Sequence, residues 1–343
     1  MDNIFSVFGL TAKQTQVLFG LENLLVQTDI FNTTNKEGGI INMTKRASEK
    51  KRWSLNWNAS INKFLQKLDN KILPDSQTLY SLIKECDNDS NINSAWKYLI
   101  LLECCCFNAY TPLGGTKEEL EKSAKDFAGL KLDKESRIVT LKRICNLLHI
   151  DVKYINIFEL GLKQANRRLT GFWKKIIVGG IIGVVIVTTA IVTCQYELLV
   201  TLAPEGLSGA AAIAAGLAAL GGGAVTAGGY GMAGGIAVLV GGGTLLGFGT
   251  GGSVGFLIAS KNSNVILKDA AKLEVVLKEI VIGVQKDTFS FQKILNKLAA
   301  QKEELRQKVD ELKAMSDKNK KEIKELKKSL AYLETFIKDM QLN

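Results

Sequence analysis

Apolar side chains recur at three- and four-residue intervals through most of residues 1–172, which is the spacing of an amphipathic α-helix. Leu18 and Leu25 share one such face, whereas residues 95–110 are apolar on nearly every side. A helix that is apolar all round is buried within a bundle. Asp133 precedes a further periodic stretch and is a predicted N-cap. The pattern predicts an all-α domain built around residues 95–110.

The helical pattern is interrupted at residues 29–60, where Asn, Thr, Gly and clustered charges predict a loop. The second half of this segment is basic and aromatic. Cations attract phosphates and aromatic rings stack on bases, as sites for single-stranded nucleic acid require. The candidate ligand contacts are Lys45, Arg46, Lys50, Lys51, Arg52 and Trp53. A basic segment whose Trp side chains dock on the core has the same composition, and the sequence leaves that alternative open.

Two long runs without a charged residue follow the helical domain, at residues 176–194 and 207–260. The first run has 19 residues and would be about 28 Å long as a helix, close to the thickness of the hydrocarbon core of a bilayer. The second run is dominated by glycine and alanine and divides near residues 228–231. These runs predict an integral membrane protein with Gly/Ala-rich transmembrane helices.

Small residues in the second run recur at steps of four, a spacing that lets helices approach closely in lipid or exposes backbone to a water-filled passage. Packing and pore lining need the same small residues, so both interpretations stand. The candidate residues are Gly231, Gly235, Gly243, Gly247, Gly251, Gly255, Thr244 and Thr250.

Charge is distributed unevenly around these runs. Lys and Arg number 26 against 19 Asp and Glu in residues 1–175, none against two in residues 176–260, and 18 against 13 in residues 261–343. Because cytoplasmic flanks of membrane segments are positive, we expect both flanks to lie in the cytoplasm. The chain is then expected to cross the inner membrane of the cell more than once. Two crossings satisfy this rule; three full crossings are the alternative.

The last 53 residues carry a heptad pattern. Leu298, Leu305 and Leu312 fall at d positions, and the same phase continues to Met340. Lys302, Ser316 and Asn319 are polar residues in that seam. The pattern predicts a C-terminal coiled coil, with a long helix folded back on the N-terminal bundle as the alternative. The predicted organisation is a cytoplasmic helical domain at residues 1–172, a transmembrane region at 173–260, and a long helix with a coiled coil at 261–343.

The sequence gives no indication of a common enzyme site. His149 is the one histidine, which excludes metal sites built on a histidine pair, and it falls near a predicted helix end. No nucleophile-elbow, phosphate-loop or zinc-protease motif lies at a predicted strand-to-helix junction, so we expect no enzyme, cofactor or metal. The six cysteines lack paired CxxC spacing and are predicted to be reduced, mostly buried thiols.

Two parts of the chain resemble known families. Residues 95–168 resemble, in their order of helices, the TerB-like domains of bacterial stress and defence proteins. That family's acidic motif after the first helix is not evident here, so no site residue is carried over. Residues 207–247 resemble the membrane segment of transmembrane and coiled-coil domain proteins, whose hydrolase activity is not carried over, and of bacterial membrane effectors.

The whole arrangement is similar to the channel effector of Hailong-type anti-phage systems. That resemblance implies a homo-oligomeric channel controlled by an oligonucleotide from a partner nucleotidyltransferase, which depolarises the membrane in abortive infection. The expected function is therefore a ligand-gated ion channel or pore-forming effector in antiviral defence. The alternatives are a membrane-anchored coiled-coil tether that does not conduct, and a colicin-like pore-forming toxin.

Overall fold

The computed structural model of the chain describes residues 12–36, 44–69, 71–88, 94–111, 113, 117–171, 271, 274–315 and 320–341. These residues form helices and connecting turns, which confirms the all-α prediction. Within these ranges no helix combines the length and the apolarity that a membrane crossing requires. The predicted spans at 176–194 and 207–260 lie outside the described residues.

The described helices divide between two compact units. Among the described residues, the first unit contains six helices and the start of a seventh, which continues into the second unit. In chain order these are α1 (Ala12–Lys36), α2 (Lys45–Asp69), α3 (Ser76–Asn88), α4 (Ala95–Cys106), α5 (Lys117–Asp126), α6 (Lys134–Leu147) and α7 (Lys153–Gly171).

Helix α1 forms the centre of the first unit and packs against α2, α3, α4 and α6. Its periodic apolar residues, including Leu18, Leu21 and Leu25, are at most 1% exposed. Gly20 lets α3 approach closely, because a Cβ atom at this position would lie 2.8 Å from a methyl carbon of Leu79. Helix α4 is buried along most of its length, as the sequence predicts.

The prediction of a loop across residues 29–60 is wrong in the described part of that segment. Helix α1 continues to Lys36, and α2 begins at Lys45. The Thr33 and Thr34 hydroxyls donate to carbonyl oxygens one turn earlier, at 2.8 and 2.9 Å, so these polar residues are accommodated inside the helix. In α2 the buried positions include Trp53, Trp57 and Ile61, which recur at helical spacing.

The start of α6 confirms the predicted cap. The Asp133 carboxylate accepts a hydrogen bond of 3.0 Å from the backbone N–H of Ser136 and thereby satisfies one of the unpaired donors of the first turn. The helix ends before His149, which adopts a φ of 54°. The backbone N–H of Ile150 then donates to the carbonyl of Cys145 at 2.9 Å, a bond that closes the helix end.

The second unit contains the end of α7, a π-helix at Val276–Val284, and the helices α8 (Thr288–Met315) and α9 (Lys320–Gln341). Helix α7 contacts the residue immediately before the π-helix. A Cβ atom built on Gly161 would lie 3.0 Å from the Cγ2 atom of Val275 and 4.0 Å from its Cβ atom. Val275 is 1% exposed, so this is a close, buried contact.

Helices α8 and α9, which carry the predicted heptad pattern, pack against each other within the chain. Arg306 in α8 and Glu334 in α9 form an ion pair of 2.7 Å. In a straight helix two residues 28 positions apart would be separated by about 42 Å. Helices α8 and α9 therefore lie side by side and are not two parts of one straight helix. The buried residues of the predicted seam in the described part of the chain are Leu295, Val309, Ile337 and Met340.

Candidate functional site

A buried polar cluster in the first unit is centred on the carboxylate of Asp29. One carboxylate oxygen, Oδ2, accepts from Lys50 Nζ at 2.6 Å and from the hydroxyl of Tyr110 at 2.5 Å. The other, Oδ1, accepts from the backbone N–H of Asp133 at 2.8 Å. These bonds join α1, α2, the turn after α4 and the start of α6. We call Asp29, Thr33, Lys50 and Tyr110 the Asp29 cluster.

The ammonium group of Lys50 is compensated within the Asp29 cluster. Its side chain and that of Asp29 are both 0% exposed. Besides the ion pair, Lys50 Nζ donates to the Thr33 hydroxyl at 3.0 Å and lies 5.1 Å from the centre of the Tyr110 ring. A buried charge needs such partners because its loss of hydration costs several kcal/mol. The contacts explain why a lysine is tolerated in this core.

Tyr110 holds its place in an uncommon backbone conformation. Its φ is 65°, in the left-handed region that bulky residues rarely adopt. Burial, followed by the neighbouring Asp29 carboxylate, raises the pKa of Tyr110 well above its usual value. The phenol therefore stays protonated and donates its hydrogen to Asp29. The hydrogen bond and the ring packing provide the contacts that hold this strained turn.

Aromatic rings enclose the cluster on the α2 side. The rings of Trp53 and Trp57 stack with centroids 5.9 Å apart, and Trp53 meets Tyr110 edge to face at 5.2 Å. The indole N–H of Trp53 donates to the carbonyl of Thr111 at 2.6 Å. This aromatic wall keeps water away from the ion pair, so the charged groups bind one another and are not open to a substrate.

The predicted ligand contacts are split between the interior and the surface. Lys50 and Trp53 are buried in the Asp29 cluster and its aromatic wall, which differs from the prediction of one surface site. The four remaining cations of the set are exposed on the first two turns of α2, and their contact with an oligonucleotide stays a prediction. These residues are Lys45, Arg46, Lys51 and Arg52.

Acidic and aromatic neighbours surround part of this exposed basic set. Arg52 lies 3.7 Å from a carboxylate oxygen of Asp126 and 5.1 Å from the centre of the Phe127 ring. Lys45 lies 3.9 Å from Glu49, one helical turn along α2. Such exposed ion pairs contribute roughly 0–1 kcal/mol, so a phosphate can compete for these cations.

The predicted set of pore-lining or packing glycines and threonines, which runs from Gly231 to Gly255, lies outside the described residues. In the described part of the chain, no group of three or more His, Cys, Asp or Glu side chains is arranged to hold a metal ion. The thiols of Cys104 and Cys145 are buried, as predicted. Burial raises the pKa of Cys145 to about 11 and that of Cys104 well above its usual value, so both stay protonated at neutral pH.

The spacing of residues along α2 indicates that Lys50 is buried, which a count of charges does not show. Ala47, Lys50, Trp53 and Trp57 occupy one face of α2, and all four are at most 1% exposed.

Comparisons with known proteins give no further indication of function: the chain matches no protein-family model, no curated protein and no solved structure.

Proposed function

We propose that this protein is an oligomeric membrane channel or pore-forming effector and not an enzyme. One observation carries the proposal: residues 176–194 and 207–260 contain no charged side chain and lie between two helical parts that are rich in charge. A run of about 20 apolar residues is long enough to cross a bilayer. Glycine at steps of four allows the close helix contacts on which membrane assemblies depend.

The contact between α7 and Val275, the residue before the π-helix, supports an even number of membrane crossings. Helix α7 ends at Gly171, just before the uncharged runs, and Val275 follows them. Gly161 and Val275 lie in direct contact. Two segments that pack together are on the same side of a bilayer. The proposed membrane region therefore leaves from and returns to one side, which the positive flanks assign to the cytoplasm of the inner membrane.

The second unit also bears on how copies of the chain would assemble. Val309 in α8 and Phe336 in α9 are at most 2% exposed, because α8 and α9 cover each other's apolar faces. A seam used within one chain is not available for a parallel coiled coil between chains. We therefore assign the contacts between copies to the glycine rows of the proposed membrane region.

Gating belongs to the cytoplasmic helices in this proposal. The exposed cations of α2 are the candidate contacts for an oligonucleotide, because phosphates bind clustered Lys and Arg. Such a ligand would come from a partner nucleotidyltransferase in a bacterial anti-phage system, as the similarity to Hailong-type effectors implies. Loss of the membrane potential would then stop growth of the infected cell.

Ion flux from liposomes tests the proposal. The full chain is reconstituted and its flux is compared with that of Gly243→Leu and Gly247→Leu variants, with Val238→Leu as a control that adds volume on the opposite face of the proposed helix. We expect flux in the wild type and the control, and loss of flux in both glycine variants, because a leucine side chain prevents close backbone approach. Short oligonucleotides should change wild-type flux in a salt-dependent manner, and less so after Lys51→Ala.

Two results would count against this function. Liposomes that stay tight at high protein density would exclude a channel and favour the tether. Equal flux from the wild type and both glycine variants would show that the glycine row neither packs nor lines the passage. Recovery of the chain in the soluble fraction of cells would instead favour a colicin-like toxin.

A further inference from the structure

Helix α7 presents two different faces between residues 157 and 171. One face carries Phe158, Gly161 and Ala165; Phe158 and Ala165 are 0% exposed, and Gly161 contacts Val275. This face is used by packing within the second unit.

The opposite face of α7 carries the basic stripe, which we define as Leu160, Lys163, Gln164 and Arg167. These four residues lie within about 100° of one another around the helix axis, and all four are exposed. Leu160 is 56% exposed, an unusual environment for a large apolar side chain flanked by cations. Glu159, the one carboxylate between residues 157 and 171, is partly covered and lies beside the stripe, one helical turn before Lys163.

We infer that the basic stripe lies against the anionic headgroups of a lipid bilayer. The inference rests on the proposed membrane function and adds which face of which helix meets the lipid, and which lipid class it selects. The stripe combines positive charge with an exposed apolar side chain, as helices at a membrane surface do. Trp173, Lys174 and Lys175 follow α7 immediately and add an aromatic ring and two further cations.

The length of chain after α7 makes this contact geometrically simple. Arg167 precedes the uncharged run at Ile176 by nine residues. Nine residues span at most about 30 Å when extended and about 14 Å as a helix. The stripe is thus within a short reach of the point where the chain is proposed to enter the hydrocarbon, and its Leu160 side chain can insert among the headgroups.

Lysine labelling in vesicles tests the basic stripe. The full chain is reconstituted in phosphatidylcholine vesicles and in vesicles that also contain phosphatidylglycerol, and both are treated with an uncharged acetylating reagent. Labelling at Lys163 is read by mass spectrometry relative to Lys142, an exposed lysine of α6. We expect Lys163 to react about fivefold more slowly in the anionic vesicles, the factor that corresponds to about 1 kcal/mol per cation near an anionic surface.

Two variants identify the face responsible. Leu160→Glu places a carboxylate in the centre of the stripe and should abolish the protection of Lys163. Gln164→Ala leaves both cations and the leucine in place and should preserve it. Retained protection in Leu160→Glu, or equal slowing at Lys142 and Lys163, would overturn the inference because the effect would not depend on this face.

Resistance to alkaline extraction in the same vesicles separates the two proposals. A chain that resists extraction, but whose Lys163 reacts equally in both lipid mixtures, would refute the stripe and leave the membrane function standing. A chain that is extracted, but whose Lys163 is protected by phosphatidylglycerol, would refute membrane insertion and support a surface contact by the stripe.

Discussion

Replacing Lys50 by Met tests whether the Asp29 cluster holds the first unit together. Methionine keeps much of the length of the side chain but removes the ammonium group. Asp29 then loses its 2.6 Å partner, Thr33 loses a donor at 3.0 Å, and a carboxylate that is 0% exposed is left without a counter-ion. Removing one partner of a buried ion pair costs about 3–5 kcal/mol. We expect the Lys50→Met variant to lose that much stability.

Hydrogen exchange of the full chain in detergent measures this loss where it occurs. Peptides from α1 and α2 report the free energy of opening in the first unit. A loss of about 3–5 kcal/mol accelerates their exchange by roughly two to four orders of magnitude, since about 1.4 kcal/mol corresponds to a factor of ten. Lys51→Met is the matched control: the same substitution, one residue away, at an exposed position. Its effect should stay within about 0.5 kcal/mol.

A second substitution separates lost charge from lost packing. In Asp29→Asn combined with Lys50→Met no charge remains in the Asp29 cluster; the Asp133 N–H can still donate to the amide oxygen, and the Tyr110 hydroxyl can accept from the amide NH2 group. The double variant should therefore be less destabilised than the sum of the two single variants by about 0.5–3 kcal/mol. Additive effects, or a Lys50→Met cost as small as that of Lys51→Met, would refute the role assigned to the ion pair.

Two further predictions concern α7 and α6. The double variant Gly161→Cys, Val275→Cys should form a disulfide on mild oxidation, because the Cβ–Cβ distance of 4.0 Å lies in the range that disulfides need. The double variant should then migrate faster on a non-reducing gel, whereas neither single variant should. A double variant that does not migrate faster would contradict the contact. Asp133→Ala should cost about 1 kcal/mol at neutral pH by loss of the cap. Hydrogen bonds from Ser136 lower the pKa of Asp133, so the cap contributes fully above the unfolded pKa of about 3.9 and is lost as pH falls through the lower folded value. The thermal unfolding temperatures of the wild type and of Asp133→Ala should thus become equal in strong acid. A difference in unfolding temperature that stays the same at every pH would refute the assignment. Asp133→Asn should retain most of the stability at neutral pH.

Several features of the first unit could be predicted because their signals are local, although the end of α1 and the first part of α2 were predicted to be a loop. The apolar spacing of α1, the apolar composition of α4 and the cap at Asp133 each involve residues within a few positions of one another. The Asp29 cluster could not be predicted in this way. The partners of Asp29 are 21, 81 and 104 residues away along the chain. The neighbours of Lys50 on its face of α2 indicate that it is buried, but the local sequence does not identify the distant partners that compensate its charge.

The packing of α8 against α9 illustrates a second limit of prediction from the sequence. A heptad pattern fixes which residues share a seam but not whether the partner helix comes from another chain or from the same one. The long-range ion pair between Arg306 and Glu334 supplies what the pattern lacks, because it shows that α8 and α9 of the same chain lie side by side.

The position of the Asp29 cluster gives it a consequence for the basic surface of α2. Arg46 is exposed and precedes Lys50 by one helical turn, so the cations proposed to bind phosphate stand directly beside the buried ion pair. Hydrogen bonds from Lys50, Tyr110 and the Asp133 backbone fix the direction as well as the distance of each contact. An apolar core would hold α2 less specifically, because hydrophobic contact is not directional. A ligand that pulled on the first turns of α2 would therefore act on α1, the Tyr110 turn and α6 together, which makes this cluster the part of the first unit best suited to pass on a binding event.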